Sequence, residues 1–294
     1  MLKGKRAIVT GSSGFIGSML LEELIRREGV IAIGVDKATG FDIRHPKTRD
    51  GLKHMMRGAD YVFHLAVLPF NPCTADMRLC IDTNVVGTLD IVEAAAEAKV
   101  KKIIYSSASA VYGNIDAVQA VDEMQPCNPN SLYGVSKLMG ELIVRNSGVP
   151  YVILRYMNVY GENQKNGLIP ALLKCVRNNT PPIIDGDGKQ AFDFVHVQDV
   201  VRANILAAAS DTCNAILNIG GENELTVSEV VKMVLDAAGS NLTPVSSPNN
   251  SNVRRVGSSA KARKLLGYCP SVDFNTKIKE MVYEYTNKNE HTDH

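Results

Sequence analysis

Tyr133 and Lys137 stand four residues apart in LYGVSKLMGELIVRN. On a helix, positions i and i+4 share a face, so this phenol and this ammonium would point the same way. A free phenol titrates near 10, too high for a base at neutrality. An adjacent ammonium favours the phenolate and lowers that value. A phenolate prepared in this way can take a proton from a hydroxyl. An isolated Tyr-x-x-x-Lys is also common on amphipathic helices whose lysine is merely solvated, so the pair needs a second motif beside it.

That motif is near the N-terminus. AIVTGSSGFIGSMLLEELI places Gly11, Gly14 and Gly17 after an apolar run and at the head of a helical stretch. Glycines allow a tight turn and close backbone approach to phosphate oxygens, and a helix N-terminus adds free N–H groups. The spacing is G-x-x-G-x-x-G, and a glycine-rich turn alone needs no ligand. Asp36 supplies context. It ends the next apolar run, about 20 residues on, where a carboxylate can hold both hydroxyls of a ribose. A carboxylate there repels a 2′-phosphate, so NAD is expected over NADP; Lys37 beside it allows some mixed use. Asp42-Ile43 and Leu65-Ala66-Val67 follow strand ends and could line the adenine and the middle of the cofactor. Tyr133 would then take a proton from a sugar hydroxyl as hydride leaves for NAD.

Between the two motifs lies KKIIYSSASAVYG, an apolar run ending in Ser106, Ser107 and Ser109. Such an end can turn into a loop or present a hydroxyl to a substrate. Alternation along an extended chain sends Ser107 and Ser109 to the face opposite Ala108, unless a bulge or turn re-aims one of them.

The elements that must hold these residues are legible as a pattern. Apolar, β-branched runs at Arg6–Thr10, Val30–Val35, Tyr61–Leu65, Lys102–Ser106 and Tyr151–Arg155 read as strands. Helical stretches lie at Phe15–Glu28, Asn84–Ala98 and Tyr133–Ser147. The strands are continuous apolar runs, as expected where a parallel sheet is covered on both faces. Their alternation with helices predicts an α/β fold with a doubly wound, Rossmann-like parallel sheet. After about residue 156, loops rich in Gly, Pro and Asn (GENQKNG, NNTPPIIDGDGK, SSPNNSN) separate shorter elements. Residues 1–156 are therefore read as the NAD-binding part, with a strand and helix returned from later sequence. Residues 157–288 are read as mainly a substrate-binding lobe. The tail NKNEHTDH is polar and expected to fray.

Composition excludes other classes. The 294 residues carry a net charge of +1, which gives no electrostatic case for nucleic acid or an anionic membrane. No apolar run approaches the ~18 residues that span a bilayer, and the first apolar run is too short for an export signal. The six cysteines stand in neither CxxC nor metal-ligand spacing, so no metal site and no disulfide framework is expected. Reduced thiols in the cytoplasm are the expectation.

With these residues in hand, the chain resembles the extended short-chain dehydrogenase/reductase family. It is most similar to the NAD-dependent nucleotide-sugar epimerases and dehydratases, the UDP-glucose 4-epimerase-like branch. TGSSGFIG, VFHLA, TNVVGTLDIVEAA, SSASAVYG, YGVSK, LRYMNVYG, DFVHVQDVV and NIGG carry the likeness, from Lys5 to about Leu266. The resemblance implies a 4-epimerase acting on a nucleotide sugar, UDP-linked, through a transient 4-keto sugar. In that scheme Tyr133 is the base and Lys137 holds the ribose and tunes it. Phe15, Ile16, Asn84, Ser106 and Tyr156 complete the expected cofactor set, and Asn158, Leu168 and Arg254 the substrate contacts. It also implies a homodimer formed through helices such as 84–98 and 133–147. His196 matches a position that is usually structural.

The sequence departs from the family pattern in places. The family's catalytic Ser or Thr, three residues before the Val of VYG, is Ala108 here; Ser107 and Ser109 are the candidate substitutes. The dehydratases' Asp-Glu pair is replaced by Ser109 and Ala110, and the decarboxylases' glutamate before VYG is missing. Asp185 stands where relatives often place an aromatic that stacks on uracil, and Phe192 where an arginine commonly grips the diphosphate. Arg254 and Arg255 could bind phosphate instead, or could be solvated surface arginines. A dehydratase using other acids, or a sugar dehydrogenase of the same family, is the alternative.

Overall fold

The computed structural model describes residues 2–115, 119–248 and 253–287. The tail from residue 288 and the stretch 249–252 lie outside the described residues. The first half runs β1 (Arg6–Thr10), α1 (Phe15–Arg26), β2 (Ile31–Val35), α2 (Pro46–Met56) and β3 (Tyr61–His64). Two short helices follow, α3 (Phe70–Ala75) and α4 (Met77–Ile81), then α5 (Gly87–Glu97), β4 (Lys102–Ala108), α6 (Leu132–Arg145) and β5 (Tyr151–Tyr156). The second half runs β6 (Asn158–Tyr160), α7 (Leu168–Arg177), β7 (Ile183–Asp185), β8 (Ala191–His196), α8 (Val197–Ala209) and β9 (Ala215–Ile219). It closes with β10 (Glu224–Thr226), α9 (Val227–Ala237), β11 (Val245–Ser247), β12 (Arg254–Arg255), α10 (Ala260–Leu266) and α11 (Phe274–Asn287).

The main sheet has six strands in the order β2-β1-β3-β4-β5-β9, all parallel. Helices cover both faces, which is why the strands read as unbroken apolar runs. Within β1, Ala7 and Val9 join a core with α1 and α8, whereas Ile8 joins the core with α2 and α5. β9 and α8 come from beyond residue 157 yet complete this sheet. In the remaining sequence β8 pairs with β10 antiparallel and with β6 and β12 in parallel. Helices α7, α9 and α11 pack there around Tyr160, Phe194 and Phe274.

Three local departures matter for the site. β4 runs two residues past the expected Ser106, because its pairing with β5 continues to Ala108 opposite Tyr156. The helix expected from Asn84 starts earlier, as a π-helical turn over 82–86 that leads into α5. Cys73 on α3 and Cys80 on α4 form a disulfide, their Cα atoms 4.7 Å apart. That corrects the expectation of reduced thiols throughout: the break between two one-turn helices folds residue 80 back onto residue 73, which spacing alone does not reveal. Among the described residues, no helix is long and apolar enough to cross a membrane.

Candidate active site

Strand order reverses on either side of β1, so the carboxyl ends of β1 and β3 diverge into a crevice. A cleft of about 700 Å³ opens there. Gly11 has φ +72°, and a Cβ on it would lie 2.7 Å from the backbone of Leu65 and Ala66. A Cβ on Gly17 would lie 2.1 Å from the Gly11 carbonyl oxygen. Helix α1 is thus seated directly on the turn, which no side chain would allow. Gly14 caps α1, whose first turn holds no acidic residue, so its N–H groups face the cleft without a competing carboxylate.

Asp36 follows β2. Its Oδ2 accepts from the Ser13 N–H at 3.0 Å and its Oδ1 from the Ala38 N–H at 2.9 Å. A carboxylate offers about four acceptor sites, so both oxygens retain capacity for ribose hydroxyls. Phe15, Ile16, Lys37, Ile43, Leu65, Ala66 and Val67 line the same cleft. So does Asp42, whose carboxylate accepts from Arg44 Nε at 2.8 and 3.1 Å and is thereby held below the usual carboxylate range. Behind the loop, His64 bonds Thr10 at 2.7 Å and Thr88 at 3.0 Å, tying β1, β3 and α5 together. A glycine cradle, a bare helix N-terminus and a ribose-facing carboxylate fit a dinucleotide.

Ser106, Ser107, Tyr133, Lys137 and Tyr156 line the other end of this cleft. Ser131 caps α6 by accepting from the Gly134 N–H at 3.2 Å, which sets Tyr133 in the first turn and Lys137 one turn on. Lys137 Nζ donates to the Ser106 carbonyl at 2.7 Å and lies 5.1 Å from the centre of the Tyr105 ring. Burial lowers its pKa to about 7, against the pull of Glu141. Burial also pushes the Tyr133 phenol up to about 12; the cation that opposes this rise is Arg255. The i, i+4 spacing led to Lys137 as the group tuning the phenol. In the structure that ammonium also donates to a backbone carbonyl, and a second cation, Arg255 on β12, acts on the phenol.

The serines separate by strand alternation. Ser106 shares a hydrogen bond of 2.8 Å with the Tyr156 hydroxyl. Ser107 faces the other way and donates to Glu141 Oε1 on α6 at 2.5 Å. Glu141 is fully buried and paired with Arg155, whose Nε and Nη2 donate at 2.9 and 2.7 Å. Arg155 Nη1 in turn donates to the Tyr112 hydroxyl at 3.0 Å. Ser109 opens a 3-10 turn over 109–112, is buried, and is not part of the cleft wall. The turn is what re-aims it away from the face of Ser107.

Four other expected contacts also lie outside the cleft wall. Asn84 is buried beneath it: its Oδ1 accepts from the Leu68 N–H at 2.6 Å, and its Nδ2 donates to the Leu68 carbonyl and to Ser136 Oγ at 3.0 Å. Asn158 begins β6 beside the lining residues Tyr156 and Val159. Leu168 begins α7 and packs into the second-half core. Arg254 is paired with Glu224 at 2.7 and 2.8 Å and donates to the Gln119 carbonyl at 3.0 Å. Asp185 accepts from Ser247 at 2.8 Å, and Phe192 packs on Phe194, ring centres 6.2 Å apart. Sequence reading missed Gln164 in the cleft wall and Glu141 behind Ser107, and it took Arg255 as a phosphate contact or a solvated arginine rather than as a cation acting on Tyr133. Glu141 could have been found, because it stands four residues beyond Lys137 on the same helix face; the action of Arg255 on Tyr133 could not, because only the fold brings β12 near α6.

Comparison with known proteins matches this architecture. A UDP-glucose 4-epimerase of Thermotoga maritima, solved with UDP-glucose, superposes with a TM-score of 0.87 at 29% identity, over 96% of this chain and 99% of that one. A UDP-glucose 4-epimerase of Streptomyces lividans is 28% identical, covering 90% of this chain and 91% of its own. A dTDP-glucose 4,6-dehydratase of Streptomyces griseus is 28% identical over 95% of this chain and 93% of its own. The model of the NAD dependent epimerase/dehydratase family matches residues 7–220. By sequence and by fold, the chain belongs to the NAD dependent epimerase/dehydratase family.

Proposed function

We propose that this protein is an NAD-dependent 4-epimerase of UDP-linked hexoses or N-acetylhexosamines. One observation carries the reading: Tyr133, Lys137 and Ser107 line the same cleft as the glycine loop and Asp36. Bound NAD supplies the hydride acceptor and donor. The glycine loop and the α1 N-terminus would hold its pyrophosphate, and Asp36 and Lys137 its riboses. Tyr133 accepts the proton of the sugar C4 hydroxyl and returns it after the 4-keto sugar has turned over. Positive charge at this end of the cleft, from Arg255 and from protonated Lys137, opposes the burial that keeps the phenol neutral. Ser107 presents its oxygen beside the reacting hydroxyl, its own proton directed at Glu141.

Ser109 and Ala110, where the dehydratases carry their acids, are buried in the 109–112 turn and offer no acid–base pair. This supports epimerisation over water elimination. In the same reading residues 1–156 hold the cofactor and residues 157–288 mainly the substrate, in the cytoplasm. Helices α5 and α6 pack together and expose Leu89, Val135, Met139 and Leu142, a face suited to a homodimer. The test is incubation of the purified protein with UDP-glucose, UDP-galactose and their N-acetyl forms. Interconversion without net NADH is the expected result. A product lighter by one water indicates a dehydratase, and accumulating NADH a dehydrogenase.

A further inference from the structure

The loop of residues 161–167 joins β6 to α7 and brings Gln164 into the cleft wall. Its first residue is seated on the start of α8: Gly161 has φ +148°, and a Cβ there would lie 2.6 Å from Val197 Cγ1 and 3.0 Å from His196 Nε2. Glu162 then fastens the loop from two sides. His196 Nδ1 accepts from the Gln198 N–H at 3.3 Å, so the ring proton sits on Nε2, which donates to Glu162 Oε2 at 3.2 Å. The other carboxylate oxygen is paired with Lys277 Nζ on α11, and that ammonium also bonds Glu280 at 3.1 Å. Burial opposes ionisation of Glu162, but Lys277 holds it below the usual carboxylate range. Burial keeps His196 below its ordinary value, so the cluster is one anion, one cation and a neutral ring.

Gln164 is where this fastening meets the cleft. Tyr156, Val159 and Gln164 are the lining residues that come from beyond α6. Val159 is apolar, and the Tyr156 hydroxyl is committed to Ser106 and Asn204. Gln164 spends one Nε2 proton on the Val159 carbonyl at 3.1 Å and keeps Oε1 and a second proton for a ligand. That bond reaches only β6, the strand from which the loop springs. The links to distant elements are those of Glu162. A side chain displaced by about 1 Å loses much of what it contributes to a bound ligand. We propose that Glu162 is a positioning residue for nucleotide-sugar binding: its bonds to His196 and Lys277 clamp the 161–167 loop against α8 and α11 and so fix Gln164 in the cleft wall. This inference rests on the proposed reading of the cleft as a nucleotide-sugar site.

The test uses the NAD-loaded protein as wild type, Glu162→Gln, Lys277→Met, Gln164→Ala and the Glu162→Gln/Gln164→Ala double variant. Amide hydrogen exchange is measured without substrate, binding of UDP-glucose and UDP-N-acetylglucosamine by calorimetry, and turnover by epimer formation. The amide of Glu162→Gln keeps the size of the side chain but not its charge. Glu162→Gln and Lys277→Met should each speed exchange across residues 161–167 by about 10-fold while the central strands stay protected. Both should raise Kd for the sugar nucleotide by about 10-fold, with kcat within about threefold and bound NAD unchanged. In the Gln164→Ala background the Glu162→Gln change should add less than about twofold, because the two residues act as one unit. Wild-type exchange in both single variants overturns the proposal. A loosened loop with wild-type Kd overturns it too, since the clamp would then serve the fold alone, and so does a fully additive double variant. If the variants weaken binding as expected but neither sugar is epimerised by wild type, the inference stands and the 4-epimerase reading fails. Wild type that binds neither sugar nucleotide overturns both.

Discussion

At the scale of single residues, the chemistry depends on which groups burial leaves neutral. Tyr133 at about 12 and Lys137 at about 7 are both displaced toward their uncharged forms. Tyr133→Phe should abolish epimer formation, by about 10³-fold or more, while circular dichroism and bound NAD stay unchanged. Ser107→Ala should lower kcat by about 10²-fold with KM within threefold, read from initial rates. Unchanged kcat would show that its hydroxyl serves only Glu141. Tyr133, Lys137 and the glycines were legible from spacing because each chemistry demands that residue type at that interval. The partnerships were not: spacing from Lys137 reaches Glu141, but its contacts with Ser107 and Arg155, and the effect of Arg255 on Tyr133, arise across elements.

At the scale of elements, the segment between β3 and α5 closes one side of the cleft. Leu68, Pro69, Leu79 and Thr83 line it, and Phe70 meets the Tyr133 ring with centres 6.2 Å apart. The Cys73–Cys80 disulfide fastens its two helices, and Asn84 fastens its root to Ser136 on α6. Reducing the disulfide should lower Tm by several degrees, given the ~2–3 kcal/mol that a short closed loop contributes. It should also raise KM for the nucleotide sugar. A Cys73→Ala/Cys80→Ala protein should be indifferent to dithiothreitol; an equal response would assign the effect to Cys127, Cys175, Cys213 or Cys269. Strands β1 to β5 were readable to within two residues because burial on both faces writes an apolar run. This segment was not, because one-turn helices leave no period to read.

At the scale of the whole molecule, buried ionisable groups set the pH dependence of stability. Asp193 on β8 is fully buried; its Oδ1 accepts from the Gly221 and Asn223 N–H groups at 2.9 and 3.2 Å, and its Oδ2 has no partner among the described residues. Burial raises its pKa to about 7 from an unfolded value near 3.8. Between these values the folded chain holds a proton that the unfolded chain releases, so wild-type stability falls as pH rises through this window. Asp193→Asn cannot titrate. Its stability relative to wild type should therefore improve between pH 4 and pH 7, by up to about a few kcal/mol in urea titrations. A constant difference across that range would show that Asp193 stays ionised. The sequence by itself determined the doubly wound sheet, the dinucleotide loop and the Tyr133–Lys137 pair, because periodicity and local spacing are properties of one stretch of chain. Only the tertiary structure decided which serine faces α6, which arginine faces the phenol and which cysteines meet. Those depend on strand register and on how separate elements pack, from two short helices 7 residues apart at the disulfide to Ser107 and Glu141, 34 residues apart, and no local pattern encodes them.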